Sequence, residues 1–289
     1  MEILYPRSVV RRVEIREGAL RGVLFLPPEP GPAVITIYGG VNNGRVPEVR
    51  AAMLASRGYV TLALAYFGVE DLPLIYSSQG LDLEYFEAAL DYVLSIPEVF
   101  PKKVGLFGMS HGGSLALSMI TEFGSKISAC AVSSGAFVIG SSPIKYRGKT
   151  IVEATKFRCD VEENCYDPLK YHGGLETIIM NPRQQISVHT SDTPLLMMIG
   201  EEDGDTPGIA RYMVDKLRML GKENVSLEMY PGTGHLIDLP HSPLCRWSRH
   251  PYLPHNIKVD YGGQTQQHSL AQFHAWRSLL SFYNAHLKQ

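Results

Sequence analysis

Val104-Gly105-Leu106-Phe107-Gly108-Met109-Ser110-His111-Gly112-Gly113 decides how this chain folds. Mostly apolar, strand-like residues run into a Gly-x-Ser-x-Gly pentapeptide, and Ser114-Leu115-Ala116-Leu117-Ser118-Met119-Ile120 continues at once in a helical pattern. A strand that turns sharply into a helix at a serine is a nucleophile elbow, a strained turn that lifts the hydroxyl clear of the backbone. Gly108 and Gly112 suit such a turn, because a side chain at either place would crowd the neighbouring strand and helix. Ser110 then stands at a helix N-terminus, where N–H groups and the macrodipole favour developing negative charge. Alone, the pentapeptide also fits a tight glycine turn with an exposed serine. The flanking strand and helix turn the reading towards chemistry.

On either side of the elbow, strand and helix patterns alternate, which predicts a parallel sheet with crossover helices. Val9 to Ile15 and Leu20 to Leu26 read as two strands joined by a turn at Glu17-Gly18, an antiparallel start. Pro27 to Pro32 is too rich in proline to donate a regular ladder and is expected to loop. Further strands are expected over Ala33–Tyr38, Tyr59–Ala65, Val104–Phe107, Ile127–Val132, Pro194–Ile199 and Val225–Tyr230. Helices are expected over Pro47–Arg57, Leu81–Ile96, Pro207–Leu220 and His268–Leu287. The interval 134–192 breaks the alternation and is read as a cap of short helices and loops over the pocket, with an ordinary surface excursion as the alternative. The whole, 1–289, is expected to be a single domain.

Composition excludes more than it selects. At 45% hydrophobic residues and a mean hydropathy near zero, neither disorder nor membrane insertion is expected. No stretch approaches the ~20 apolar residues of a spanning helix. A net charge of -2 offers nucleic acid no electrostatic footprint. Glu2 and Pro6 do not suit a signal peptide, and Leu287-Lys288-Gln289 is not a peroxisomal address, so cytoplasm is expected. The four cysteines, Cys130, Cys159, Cys165 and Cys245, are widely spaced; Cys159 and Cys165 could bridge within a loop, but reduced thiols are the expectation. No His/Cys/Asp cluster has ligand spacing, so neither a metal nor an organic cofactor is expected.

A serine hydroxyl needs a base, and the base an orienter. His235 lies in Tyr230-Pro231-Gly232-Thr233-Gly234-His235, a glycine-rich loop just past an apolar strand, where it can reach across the sheet edge. Of the other nine histidines, His111 adjoins the serine and is expected to point away, while the rest fall in the presumed cap, the proline-rich coil after His235 or the last helix. Asp203 follows the strand before, in Gly200-Glu201-Glu202-Asp203-Gly204-Asp205, with Asp205 as its close competitor. The order Ser110, Asp203, His235 is that of α/β-hydrolases. For the oxyanion, Tyr38-Gly39-Gly40-Val41-Asn42-Asn43-Gly44 follows a strand where one N–H is normally supplied. The backbone amides of Gly40 and His111 are therefore expected to form the hole, with an amide one residue away as the alternative to Gly40.

These residues also carry a family resemblance. Arg21-Gly22-Val23-Leu24-Phe25-Leu26-Pro27-Pro28, Ala63-Leu64-Ala65-Tyr66-Phe67-Gly68-Val69-Glu70-Asp71-Leu72-Pro73 and Leu83-Glu84-Tyr85-Phe86-Glu87-Ala88-Ala89 resemble the acyl-CoA thioesterase and bile acid-CoA:amino acid N-acyltransferase family. So do the elbow with Leu117-Ser118-Met119, Thr233-Gly234-His235-Leu236-Ile237-Asp238 and Ser242-Pro243-Leu244-Cys245. The resemblance covers nearly the whole chain, is to the family's C-terminal catalytic domain, and puts the family's catalytic acid on Asp203. It implies acyl-CoA chemistry. Family members carry an N-terminal β-sandwich before the segment that matches Arg21, which this chain is expected to lack. Members that conjugate amino acids use cysteine as nucleophile, so Ser110 implies hydrolysis.

The expectation is thus an α/β-hydrolase with a small cap, whose Ser110, His235 and Asp203 cleave an acyl thioester on coenzyme A or a carrier protein. The alternatives are a carboxylesterase or dienelactone-hydrolase-like enzyme, an acyltransferase to an amine, and a binding protein on a hydrolase fold.

Overall fold

A computed structural model describes residues 10–39, 47–73, 81–138, 142–155, 165–166, 176, 179–249 and 258–288. Strands β1 (Arg11–Glu17), β2 (Leu20–Leu26), β3 (Gly31–Ile37) and β4 (Val60–Ala65) open the chain, with helix α1 (Pro47–Ala55) before β4. Next come the short β5 (Leu81–Asp82), helix α2 (Leu83–Ser95), the long β6 (Val99–Met109), helix α3 (His111–Phe123) and β7 (Ala129–Ser133). Three short strands follow, β8 (Ile144–Tyr146), β9 (Lys149–Val152) and β10 (Cys165–Tyr166). The end of the chain supplies β11 (Leu195–Gly200), helix α4 (Thr206–Met219), β12 (Val225–Tyr230), β13 (Trp247–Arg249), β14 (Lys258–Asp260) and helix α5 (Thr265–Leu287).

Eight of the strands form one sheet in the order β1-β2-β4-β3-β6-β7-β11-β12. The pairs β1/β2 and β2/β4 are antiparallel, and every pair from β4/β3 to β11/β12 is parallel. This is the α/β-hydrolase arrangement, and the strand alternation explains how both faces are covered. On β6, Val104 and Leu106 face a core shared with α2, α3 and α4, while Phe107 and Met109 face α5 and α1. Ala33, Ile35 and Ile37 of β3 alternate with Val34 in the same way. Parallel strands buried on both faces read as nearly continuous apolar runs, which is why the central strands stand out in the sequence. Among the described residues no helix is long and apolar enough to cross a membrane.

Several sequence expectations need correction. Gly31 and Pro32 belong to β3: the pairing of β3 with β6 shifts register between Gly31 and Ala33, and that irregularity accommodates the missing proline N–H. The helix expected from Leu81 begins at Leu83, because Leu81 and Asp82 pair with β8 and the Asp82 carboxylate caps α2 by accepting from the Glu84 N–H at 3.0 Å. The coil expected after His235 contains β13 and β14, which with β10 make a small separate sheet. Strands of two or three residues carry too little periodicity to be read from sequence.

Within the interval 134–192, where only short helices and loops are expected, β8 and β9 instead form an antiparallel hairpin, because pairing with β5 extends them into a second small sheet. Ile144, Val152, Ile186 and Val188 are buried in the main core, and the Tyr146 hydroxyl donates to Glu87 on α2 at 2.9 Å. Residues 139–141, 156–164, 167–175 and 177–178 of the presumed cap lie outside the described residues, as does Cys159. Cys130 and Cys245 are free thiols.

Candidate active site

The site is built where β6 stops. Ser110 has φ 57° and ψ -128°, a left-handed conformation that a side chain rarely adopts, between the last strand residue, Met109, and the first residue of α3, His111. Such backbone costs on the order of 1–3 kcal/mol and persists only if its surroundings hold it. The Ser110 N–H donates to the Ser133 carbonyl at 3.0 Å, and the Ser110 carbonyl accepts from Gly113 at 2.9 Å. The chain also packs backbone against backbone: a Cβ on Gly112 would lie 2.2 Å from the Ile37 carbonyl oxygen, and one on Gly108 only 2.4 Å from that of Gly112. Behind the turn, Leu115, Leu117, Met119 and Ile120 are fully buried, each contributing roughly 1.5–3 kcal/mol of transfer free energy that anchors α3.

Two loops at the carboxyl ends of neighbouring strands bring in the partners. Asp203 follows β11 and His235 follows β12. His235 Nε2 lies 2.8 Å from Ser110 Oγ, and His235 Nδ1 lies 2.8 Å from Asp203 Oδ1. Asp203 is completely buried, so its negative charge sits beside the imidazole in a poorly solvated place where it acts strongly. Its second oxygen, Oδ2, is buried without a hydrogen-bond partner among the described residues. The competitor Asp205 is the residue preceding α4, and Glu201 pairs with Arg211 at the surface. Ser110, His235 and Asp203 thus form one hydrogen-bonded chain. It can move a proton from the serine to an imidazole held in a single tautomer.

On the oxyanion side, Gly39 lies directly against the serine. A Cβ there would be 2.8 Å from Ser110 Cβ and 2.7 Å from the His111 nitrogen. The segment just past β3 therefore approaches the elbow as closely as backbone allows, and a side chain at position 39 would collide with Ser110. Gly40, the expected donor, lies outside the described residues. The His111 amide stands at the head of α3, where the N–H dipoles converge. Burial pushes the His111 imidazole pKa down to about 4, so the ring next to the serine is neutral near pH 7 and adds no fixed charge.

Arg50, a buried arginine on α1, is a residue that the sequence motifs do not single out. Its Nε donates to the Tyr38 hydroxyl at 3.0 Å, and its Nη2 to the Ile237 carbonyl at 3.3 Å and Asp238 Oδ1 at 3.1 Å. The guanidinium also lies 4.2 Å from the centroid of the Phe107 ring. This network ties the loop carrying His235 to the strand end carrying Gly39. An arginine between Val49 and Ala51, on a short helix that must cover the sheet, was the available signal, since such a charge is rarely buried without a partner. Arg50→Met is expected to lower stability by about 2–4 kcal/mol in urea unfolding, tempered by the partial exposure of Asp238. An equal loss in an Asp238→Asn background would show that the pair does not couple. Among the described residues, no group of histidine, cysteine and carboxylate side chains could hold a metal ion.

A family model described as BAAT / Acyl-CoA thioester hydrolase C terminal matches residues 81–289. Acyl-coenzyme A thioesterase 1 of Mus musculus is 37% identical over 283 residues, 96% of this chain and 66% of the relative. Acyl-coenzyme A thioesterase 2, mitochondrial, of the same organism is 36% identical, over 96% of this chain and 61% of the relative. Bile acid-CoA:amino acid N-acyltransferase of Homo sapiens is 35% identical, over 99% of this chain and 68% of that protein. The chain thus spans only about two thirds of the length of these curated relatives. Among solved structures, a dienelactone hydrolase-like promiscuous phosphotriesterase from metagenomic libraries aligns with a TM-score of 0.57 at 17% identity, over 96% of this chain and 98% of that one. A putative dienelactone hydrolase from Klebsiella pneumoniae aligns with a TM-score of 0.58 at 14% identity, over 95% and 98%. At these identities the likeness is one of fold.

Proposed function

Because the chain belongs to the BAAT / acyl-CoA thioester hydrolase C-terminal family, we propose that it hydrolyses acyl thioesters, carried on coenzyme A or a carrier protein, through an acyl-Ser110 intermediate. The observation that carries the reading is the unbroken chain Ser110 Oγ, His235, Asp203, with 2.8 Å at each link. In the first half-reaction Ser110 Oγ attacks the thioester carbonyl while His235 Nε2 takes its proton. Asp203, acceptor-only when ionised, steadies the imidazolium through Nδ1. The developing oxyanion is met by the backbone N–H groups of His111 and Gly40, in the space that Gly39 leaves open. His235 then gives its proton to the departing thiolate, and the C–S bond breaks. In the second half, water loses a proton to His235 and attacks the acyl-serine; collapse returns that proton to Ser110 and frees the carboxylic acid.

Hydrolysis is preferred to transfer because the nucleophile is Ser110, whereas the resemblance associates amine conjugation with cysteine. The interval 134–192 is proposed as the cap that closes over the acyl chain, its β8–β9 hairpin anchored on α2. The test is release of free thiol from acyl-CoAs of short to long chain, measured beside matched p-nitrophenyl esters. Thioester turnover above ester turnover is expected. Ester cleavage with negligible thiol release would replace this reading by a carboxylesterase. Release of thiol that requires added glycine or taurine would replace it by an acyltransferase.

A further inference from the structure

His235 has to meet two partners from opposite ends of one ring, so a small displacement of its loop breaks one hydrogen bond or the other. What holds that loop is therefore part of how the site works. His268, in the first turn of α5, is only 2% exposed and lies against the base loop. Its Nδ1 is 3.3 Å from the Gly234 nitrogen and its Nε2 is 2.9 Å from the Leu236 carbonyl oxygen. A backbone N–H can only donate and a carbonyl can only accept. Nδ1 must therefore be the acceptor and Nε2 must carry the hydrogen, which fixes a neutral ring in one tautomer. Burial, which lowers the pKa of this histidine, works in the same direction.

The two residues gripped are the immediate neighbours of His235 in the chain. His235 itself donates its N–H to the Tyr261 carbonyl at 2.8 Å, and the Tyr261 ring lies nearly parallel to the His235 ring, 15° between planes. Three successive backbone positions are thus held from the segment leading into α5 and from α5 itself. That segment is tied back in turn, because the Gln264 N–H donates to Gly232 at 2.8 Å and the His268 N–H to Gln264 at 2.8 Å. We propose that His268 is a positioning residue: through Gly234 and Leu236 it sets the His235 imidazole in line with both Ser110 and Asp203. The inference rests on the reading that these three residues form the reacting set. A sub-ångström misplacement of a base is worth roughly tenfold to hundredfold in rate.

The test uses the whole chain with His268→Leu, which removes both hydrogen bonds while keeping a buried apolar side chain of similar reach. The rate of Ser110 labelling by a fluorophosphonate is expected to fall tenfold to hundredfold per folded molecule. The downfield proton of His235 Nδ1 against Asp203 is expected to weaken or vanish in the proton NMR spectrum. In thioester turnover the loss should sit in kcat with KM unchanged, because the buried ring has no access to substrate. His268→Gln, which keeps a donor for Leu236 and loses the acceptor for Gly234, should lie between wild type and His268→Leu. Labelling of His268→Leu at the wild-type rate, whatever its melting temperature, overturns the proposal. If that variant does not fold, wild-type labelling of His268→Gln overturns it equally. Failure of wild type itself to label at Ser110 sinks the functional reading instead. The NMR signal then decides the positioning claim alone, which stands if His268→Leu loses the proton and falls if the proton remains.

Discussion

Ser110→Ala is expected to abolish fluorophosphonate labelling and to lower thioester turnover by about 10⁶-fold while leaving the fold intact. The size follows from what the serine does. On the proposed mechanism, without Oγ there is no nucleophile for His235 to activate, and the oxyanion site and substrate binding alone leave a residual rate about 10³–10⁴-fold above that in water. The fold survives because the left-handed turn is held by the Ser133 carbonyl and by close backbone packing at Gly108 and Gly112, none of which involves the hydroxyl. Alanine keeps the Cβ, so the strain at φ 57° stays about the same. Circular dichroism and thermal melting, run beside the kinetics, check both halves. Turnover by Ser110→Ala within tenfold of wild type would place the chemistry elsewhere.

Asp203→Asn is expected to cost about 10⁴-fold in kcat with the melting temperature unchanged or raised. The amide can present its NH₂ group to His235, which then accepts at Nδ1 and carries its hydrogen on Nε2. A ring in that tautomer points a hydrogen at Ser110 Oγ and cannot take the serine proton. The melting temperature should hold because Asp203 is completely buried and its Oδ2 lacks a partner among the described residues; replacing a buried carboxylate by a neutral isostere removes a desolvation cost. Fast kinetics at several pH values should show the loss in acylation. Asp205→Asn, on a residue that precedes α4, is the matched control and is expected to keep wild-type turnover. If the two variants traded places, the acid would be Asp205.

Much of the architecture was legible in the chain because its causes are local. The apolar runs of β3, β6, β7 and β11 announce strands buried on both faces, and the boundaries of β12 agree with expectation to the residue. The elbow was legible for the same reason: glycine, serine and glycine at fixed spacing between a strand and a helix have few backbone solutions. Its unusual torsion follows from the sharpness of that turn. Short elements were not legible. The strand β5 exists because β8 comes to pair with it from more than sixty residues away, and β13 and β14 exist because they meet each other.

The sequence by itself determined the fold class and the candidates for nucleophile, acid and base in their order along the chain. Period, turn chemistry and loop position are properties of neighbouring residues and need no knowledge of distant ones. Only the tertiary structure decided which carboxylate reaches His235, that Gly39 abuts the serine, and that Arg50 and His268 contact the His235 loop from two different helices. Those are contacts between residues brought together by the sheet order. Their worth depends on distances of a few tenths of an ångström and on exclusion of water, and both are set by packing across the molecule.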